Sequence, residues 1–382
     1  MDVVEGITMS LRREGEPDRV YSFVQGIMRK FERTFDERYG DDLADEEIVL
    51  LPGKNIVIHK KLGFDSSWYG TPSPEIHYGE KHDKLLDEFQ ERWSVRNQNY
   101  FVNNNGSLMN RGMLSGYSYN YFVDGLLKER ETWEAWHEDY EIEPIPPERI
   151  DHVNEALHMG FEHDFLIIPS TGLLMEPLIA KIGIDAIGRY AYRSPEFLEK
   201  ICKTIMKVPY EKMRFLCKTD APVIIIPDDC AYKGRPILSP RMYEKFIIPH
   251  FSKVIKMAHD AGKLVIFHSD GKVEPYYNLL IDAGLDAHQS IEPVAGNNLA
   301  EIKQTYGDRL SFIGNIDCSR LLPYGSRHEV IEAVKDCLRV GAPGGGYMFS
   351  PCTDLTDSCT LENVETMMAT YKKFRNYPIT IP

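Results

Sequence analysis

At 382 residues the chain exceeds an ordinary domain of about 100–200 residues, but strand-and-helix barrels commonly reach about 250 residues or more as one unit. Its formal charge of -14, from 44 Lys and Arg against 58 Asp and Glu, argues against a nucleic-acid binder, because phosphate contacts need clustered cations. No signal-peptide pattern and no apolar run near about 18 residues is present, so neither secretion nor membrane spanning is expected; seven cysteines without a CxxC pair fit a reducing, cytoplasmic setting.

The opening MDVVEGITMSLRREGEPDRV predicts an amphipathic helix. DSSWYGTPSPEIHYG and YFVNNNGSLMNRGMLSGYSYNYFVDG follow, rich in aromatics, Gly, Asn and Pro, and predict strands and turns rather than long helices. LKERETWEAWHEDY predicts a helix, which the prolines of EIEPIPPERI end. Residues 1–150 thus form an irregular, aromatic-rich extension of N-terminal helices and a strand-rich insertion.

From about residue 155 a unit recurs: an apolar run, a polar turn, then a helical stretch. The runs are FLIIPS (165–170), PVIIIPDDC (222–230), KLVIFHSD (263–270), LDAHQSIEP (285–293), LSFIGNID (310–317) and YMFSPC (347–352). SPRMYEKFIIPHFSKVIKMAHDAG, with Pro near its start and Gly after its end, predicts one of the intervening helices. Apolar strands alternating with helices indicate a parallel sheet covered on both faces. Six such strands, with one or two more near 48–69, predict a (β/α)8 TIM barrel and a single domain over 1–382. No GxGxxG marks a dinucleotide fold, and GAPGGG at 341–346 lacks the lysine of a phosphate loop and precedes a strand, so it predicts a tight turn.

Barrel enzymes place their chemistry where strands end. Those ends carry Ser170 and Thr171; Asp228, Asp229 and Cys230; His268 and Asp270; Gln289 and Glu292; Asn315, Asp317 and Cys318; and Cys352, Thr353 and Asp354. Asp229 and Asp270 can each serve as helix caps, His268 as a hydrogen-bonded core histidine, and any one cysteine as an inert thiol. Together, a neutral imidazole, a thiolate and carboxylates can supply three ligands of a catalytic zinc with an open position. Tyr117, Tyr119 and Tyr121 alternate as on a half-exposed strand, where they either pack on a neighbour or offer a flat ring-binding surface.

LSFIGNIDCSRLL, GAPGGGYMFSPCTDLTDSCTLENVETMMATYKKF, KLVIFHSDGKVEPYYNLLIDAGLDAHQSIEP and the segment FLIIPSTGLLMEPLIAKIGIDAIGRYAYRSPEFLEKI resemble the uroporphyrinogen decarboxylase superfamily, over roughly residues 85–375. The superfamily divides into decarboxylases of an acidic tetrapyrrole and methyltransferases that work with corrinoid proteins. The decarboxylases carry an arginine-rich segment after their first strand; here LGFDSSWYGTP has none, and SPCTD replaces their Gly-His-Gly. An acidic substrate would leave buried charges unpaired at a cost of several kcal/mol each, so the resemblance points to the methyltransferases.

Methyltransferases that make methyl-coenzyme M hold zinc through His-x-Cys and a later Cys. His268 matches their His, Asp270 stands where their first Cys would be, and Cys352 or Thr353 falls at the last position. A site richer in oxygen is a harder Lewis acid, suited to an ether oxygen. The resemblance therefore implies the O-demethylase branch, moving a methyl group from a methoxylated aromatic compound to the cobalt of a corrinoid protein. In this reading His268 is a zinc ligand, with Asp270, Cys352 and Cys318 competing for the remaining positions. Asp229 or Glu292 is a general acid or further ligand, Asn315 and Ser170 hydrogen-bond substrate, and Tyr119 and Gln289 line its pocket. The corrinoid arrives on a partner, because the chain lacks an Asp-x-His-x-x-Gly motif. Transfer from a methyl-corrinoid to a thiol or tetrahydrofolate is the alternative, uroporphyrinogen decarboxylation a more distant one, and a homodimer is left open.

Overall fold

The computed structural model describes all residues except 44–49, 52–53 and 115–116; side chains are described outside 41–55 and 114–119. Eight parallel strands form the central sheet in chain order: β1 (Phe23–Val24), β2 (Ser66–Gly70), β3 (Leu166–Ser170), β4 (Val223–Pro227), β5 (Leu264–His268), β6 (Ala287–Gln289), β7 (Ser311–Ile316) and β8 (Tyr347–Pro351). A parallel bridge from Ser22 to Phe349, with the Phe349 N–H on the Tyr21 carbonyl at 2.9 Å, joins the last strand to the first and closes the barrel.

Side chains alternate between the two faces of a strand. One set, Leu166, Ile168, Val223, Ile225, Leu264, Ile266, Ala287, Ile313 and Met348, fills the interior. The other packs outward on the helices, for instance Ile167, Ile224, Ile226, Val265 and Phe312. Helix α1 (Val3–Arg12) presents Val3, Ile7 and Leu11 on one face to this interior and plugs the amino ends of the strands. Asp2 caps it by accepting the Glu5 N–H at 2.8 Å.

The extension contains more helix than its composition suggests. α2 (Arg29–Leu43), α3 (Ile56–Leu62) and α4 (Glu80–Ser94) lie outside the two segments expected as strands and turns, which are strands and turns here. The reason lies in RKFERTFDERYGDDL and EKHDKLLDEFQERWS, which are built of good helix formers and place Phe31 with Phe35, and Leu85 with Phe89, four residues apart. The strand-rich part is a three-stranded antiparallel ribbon of Tyr100–Val102, Ser107–Leu114 and Tyr117–Gly125. The strand expected near 48–69 is β2; residues 50–51 and 54–55 make a small separate pair. β1, two residues long, carries no run for periodicity to detect. The helix expected over SPRMYEKFIIPHFSKVIKMAHDAG is two, Pro240–Phe246 and Ile248–Asp260, divided before Pro249, which has no N–H to continue the ladder. The tight turn at GAPGGG is present: Gly344, Gly345 and Gly346 all have positive φ, and a Cβ on Gly345 would stand 2.0 Å from the Gly15 carbonyl oxygen. Among the described residues no helix is long and apolar enough to cross a membrane.

Candidate functional site

Continuing the inward set past the apolar layers reaches Trp68, Ser170, His268, Gln289 and Asn315 at the carboxyl ends of the strands. His268 and Gln289 are register partners on β5 and β6, which brings their side chains together. The Gln289 amide N–H donates to the Cys352 carbonyl at 2.9 Å, and a carbonyl can only accept. The Gln289 oxygen must then face His268, so His268 Nδ1 carries the proton and donates to it. Nε2 is left with its lone pair, 4.0 Å from Asp229 Oδ1 and too far for a hydrogen bond. The imidazole also meets the Trp68 ring edge-to-face at 5.1 Å, across the barrel.

Carboxylates ring this nitrogen. Asp229 Oδ1 accepts the Asp270 backbone N–H at 2.9 Å, and Glu292 Oε2 accepts the Gly271 N–H at 3.0 Å. Asp270 Oδ1 is buried without a hydrogen-bond partner. Burial pushes the Asp270 carboxyl up to about 6; His268 pulls it back, while Asp229 and Glu292 raise it further. Glu176 belongs to this group as well, at the start of α5 (Met175–Arg193). Its side chain is open to water, and desolvation together with the Asp228 and Asp229 charges pushes its carboxyl up to about 7. Asp228, fully buried, is the cap: it accepts the N–H groups of Leu174, Met175 and Glu176 at 3.0, 2.9 and 3.0 Å. Capping therefore falls to Asp228, on the helix that follows the neighbouring strand β3, which leaves Asp229 facing the mouth.

Other expected site residues are engaged with the frame. Asn315 donates its amide to the Ile291 carbonyl, and Cys352 Sγ–H lies 3.6 Å from the same oxygen. Ile291 adopts φ 57°, a left-handed conformation costing about 1–3 kcal/mol for a β-branched residue. It is held there by these contacts and by Gly314, where a Cβ would stand 2.3 Å from the Ser290 carbonyl oxygen. Ser170 Oγ donates to the Tyr69 carbonyl at 3.0 Å. Cys352 is buried, and burial, with Cys318 and Glu292 nearby, raises its thiol well above the usual range. Cys318 is buried close to Cys352, its Sγ 3.7 Å from the Thr353 carbonyl, and burial pushes its thiol up to about 12. The side chain of Tyr119 lies outside the described residues.

Sequence reasoning missed Glu176, because an acidic residue in a helix's first turn reads as a dipole partner, and Trp68, whose place opposite His268 only barrel closure reveals. Nitrogen and oxygen donors at the mouth suit a metal: the His268 Nε2 lone pair and the orphaned Asp270 Oδ1 face a region that Asp229 borders. Three ligand atoms already within 4.8 Å of one another occur, among the described residues, only at Glu75, His77 and Glu143, on the exposed surface.

Fold and mouth together define a (β/α)8 barrel of the enzyme type, with an imidazole and carboxyls where its strands end. The uroporphyrinogen decarboxylase family model matches residues 175–374, and the chain belongs to that family. In fold it is similar to a methyltransferase from Methanosarcina mazei, at 15% identity over 98% of this chain and 99% of that one, with a TM-score of 0.63. A more distant likeness joins it to a family 2 AP endonuclease from Brucella melitensis, at 10% identity, 94% and 100% coverage and a TM-score of 0.41. No curated protein sequence matches it.

Proposed function

We propose that the chain is a methyltransferase that takes the methyl group of a methoxylated aromatic compound and passes it to the cobalt of a corrinoid held by a partner protein. The observation that carries this reading is the tautomer-fixed His268 imidazole at the mouth with Asp229 4.0 Å from its free nitrogen and the buried, unpartnered Asp270 oxygen beside it. Cleaving an aryl methyl ether leaves a phenolate, so the bond breaks more readily when a proton or Lewis acid waits at that oxygen. Glu176 holds such a proton near neutral pH and donates it to the departing oxygen. Asp229 keeps the neighbourhood anionic, which sustains that protonated state. Zinc, where bound, would be held by His268 and Asp270, with Asp229 or Cys352 completing the set, and would supply Lewis acidity towards the ether oxygen. Gln289 positions His268, and Trp68 offers an aromatic wall for the ring. A mouth bordered by Glu176, Asp229, Asp270 and Glu292 is a poor host for a polyacidic tetrapyrrole, which weighs against decarboxylation in this member of the family.

Anaerobic incubation with cob(I)alamin and a panel of methoxyarenes, methanol and methylamines tests the reading. Conversion of the cobalt spectrum to the methylated form, with release of the matching phenol, is the expected result. Absence of conversion with every donor, while methylcobalamin is demethylated by a thiol or tetrahydrofolate, would reverse the direction of transfer.

A further inference from the structure

A cavity of about 360 Å³ opens in the outer helical layer, at the end of the barrel opposite the mouth. Its position follows from its walls. Leu62 ends α3 just before β2 begins, and Lys372 lies in the last turn of α6 (Leu361–Phe374), which returns towards the amino ends of the strands. Phe35 and Tyr39 of α2, with ring centroids 4.9 Å apart, form one wall, and Leu62, Met368 and Ala369 form the rest of the apolar lining.

The charges at the rim are unevenly spent. Glu365 is taken up by Arg38 at 3.4 Å and by the Tyr39 hydroxyl. Lys372 makes no hydrogen bond or ion pair with a described residue. Its stem lies over Gly63, where a Cβ would stand 2.1 Å from Lys372 Cε, so the glycine makes room for the lysine to lie along the cavity. Burial and the Arg375 guanidinium depress its ammonium below the ordinary value, against an opposing pull from the Asp65 carboxylate. The complementary ligand has a flat apolar body and one anionic group.

We propose that this cavity binds a small aryl carboxylate, with its ring against Phe35, Tyr39, Leu62 and Met368 and its carboxylate on Lys372 Nζ. The assignment is independent of the chemistry at the mouth. Calorimetric titration of the full chain with benzoate, benzyl alcohol and acetate tests it, because only benzoate combines ring and charge. Benzoate should bind saturably and at least about tenfold tighter than either of the others. Lys372→Met, which keeps the stem over Gly63, should reduce benzoate affinity to that of benzyl alcohol, and Lys372→Arg should retain it. His268→Ala should leave benzoate binding intact, which separates this cavity from any aromatic site at the mouth. Unchanged affinity in Lys372→Met, loss of binding in His268→Ala, or no saturable binding up to about 20 mM, a generous ceiling for so small a ligand, would each overturn the proposal.

Discussion

The two ends of the barrel are made by the same strands and do opposite work. At the amino end, Leu166, Val223, Leu264 and Ala287 meet Val3, Ile7 and Leu11 of α1, and the interior is sealed with aliphatic side chains. At the carboxyl end the same inward positions, one or two steps further along each strand, carry Ser170, His268, Gln289 and Asn315. Stability is concentrated at the plugged end, whereas the mouth spends it: a left-handed Ile291, an orphaned Asp270 oxygen, and carboxyls crowded enough to hold protons near neutral pH. A substitution at one end should therefore move a different observable from a substitution at the other.

His268→Ala gives the largest expected effect. Turnover should fall at least about a thousandfold, ~4 kcal/mol of transition-state stabilisation, while the far-ultraviolet circular dichroism is retained; near-normal turnover would remove the mouth from the chemistry. Next is Leu11→Ala at the plug, expected to lower unfolding free energy by about 2–5 kcal/mol in denaturant titrations without altering KM. Were it to abolish activity in the folded protein, the division between ends would fail. Gln289→Leu sits between the two. It frees the His268 tautomer and strands the Cys352 carbonyl, so turnover should drop about 10–100-fold, along with a modest loss of stability.

The smallest effect is the dependence on pH. Glu176 and Asp270, raised to about 7 and about 6 from ordinary values of 4.5 and 3.8, keep protons when folded that the unfolded chain has already released. Their contribution to stability is complete below about pH 4 and is lost as pH rises towards about 7. Glu176→Gln should raise the melting temperature at pH 8 relative to pH 5, and should remove the fall in turnover above about pH 7 that loss of the Glu176 proton causes. Identical pH profiles for the two proteins would exclude Glu176 as the proton source.

The barrel was legible because six of its strands are continuous apolar runs ending in polar residues, a pattern that depends on local sequence alone. β1 was not, since two residues carry no period and its place depends on pairing with β8 across the whole chain. At the mouth, His268, Asp270 and Asp229 were legible from their position after strands. What sequence could not settle is division of labour between neighbours: Asp228 caps and Asp229 faces the mouth, and only strand alternation in the folded barrel decides which is which. The long helices of the extension are flanked by aromatic, Gly- and Asn-rich segments that read as strands and turns, although their own charged residues and spaced phenylalanines carry the helical signal.

The closure of β8 onto Tyr21 and Ser22 has a consequence for the order of events at the ribosome. α1 and β1 are synthesised some three hundred residues ahead of their partners on β7 and β8. Until then the face bearing Val3, Ile7 and Leu11 gains its cover only piecemeal, as Leu166, Val223, Leu264 and Ala287 emerge, and the barrel stays unclosed until the final strand arrives. Production of this protein should then depend on chaperone supply and elongation speed more than its final stability suggests, and slowing translation ahead of Tyr347 would lengthen that exposure.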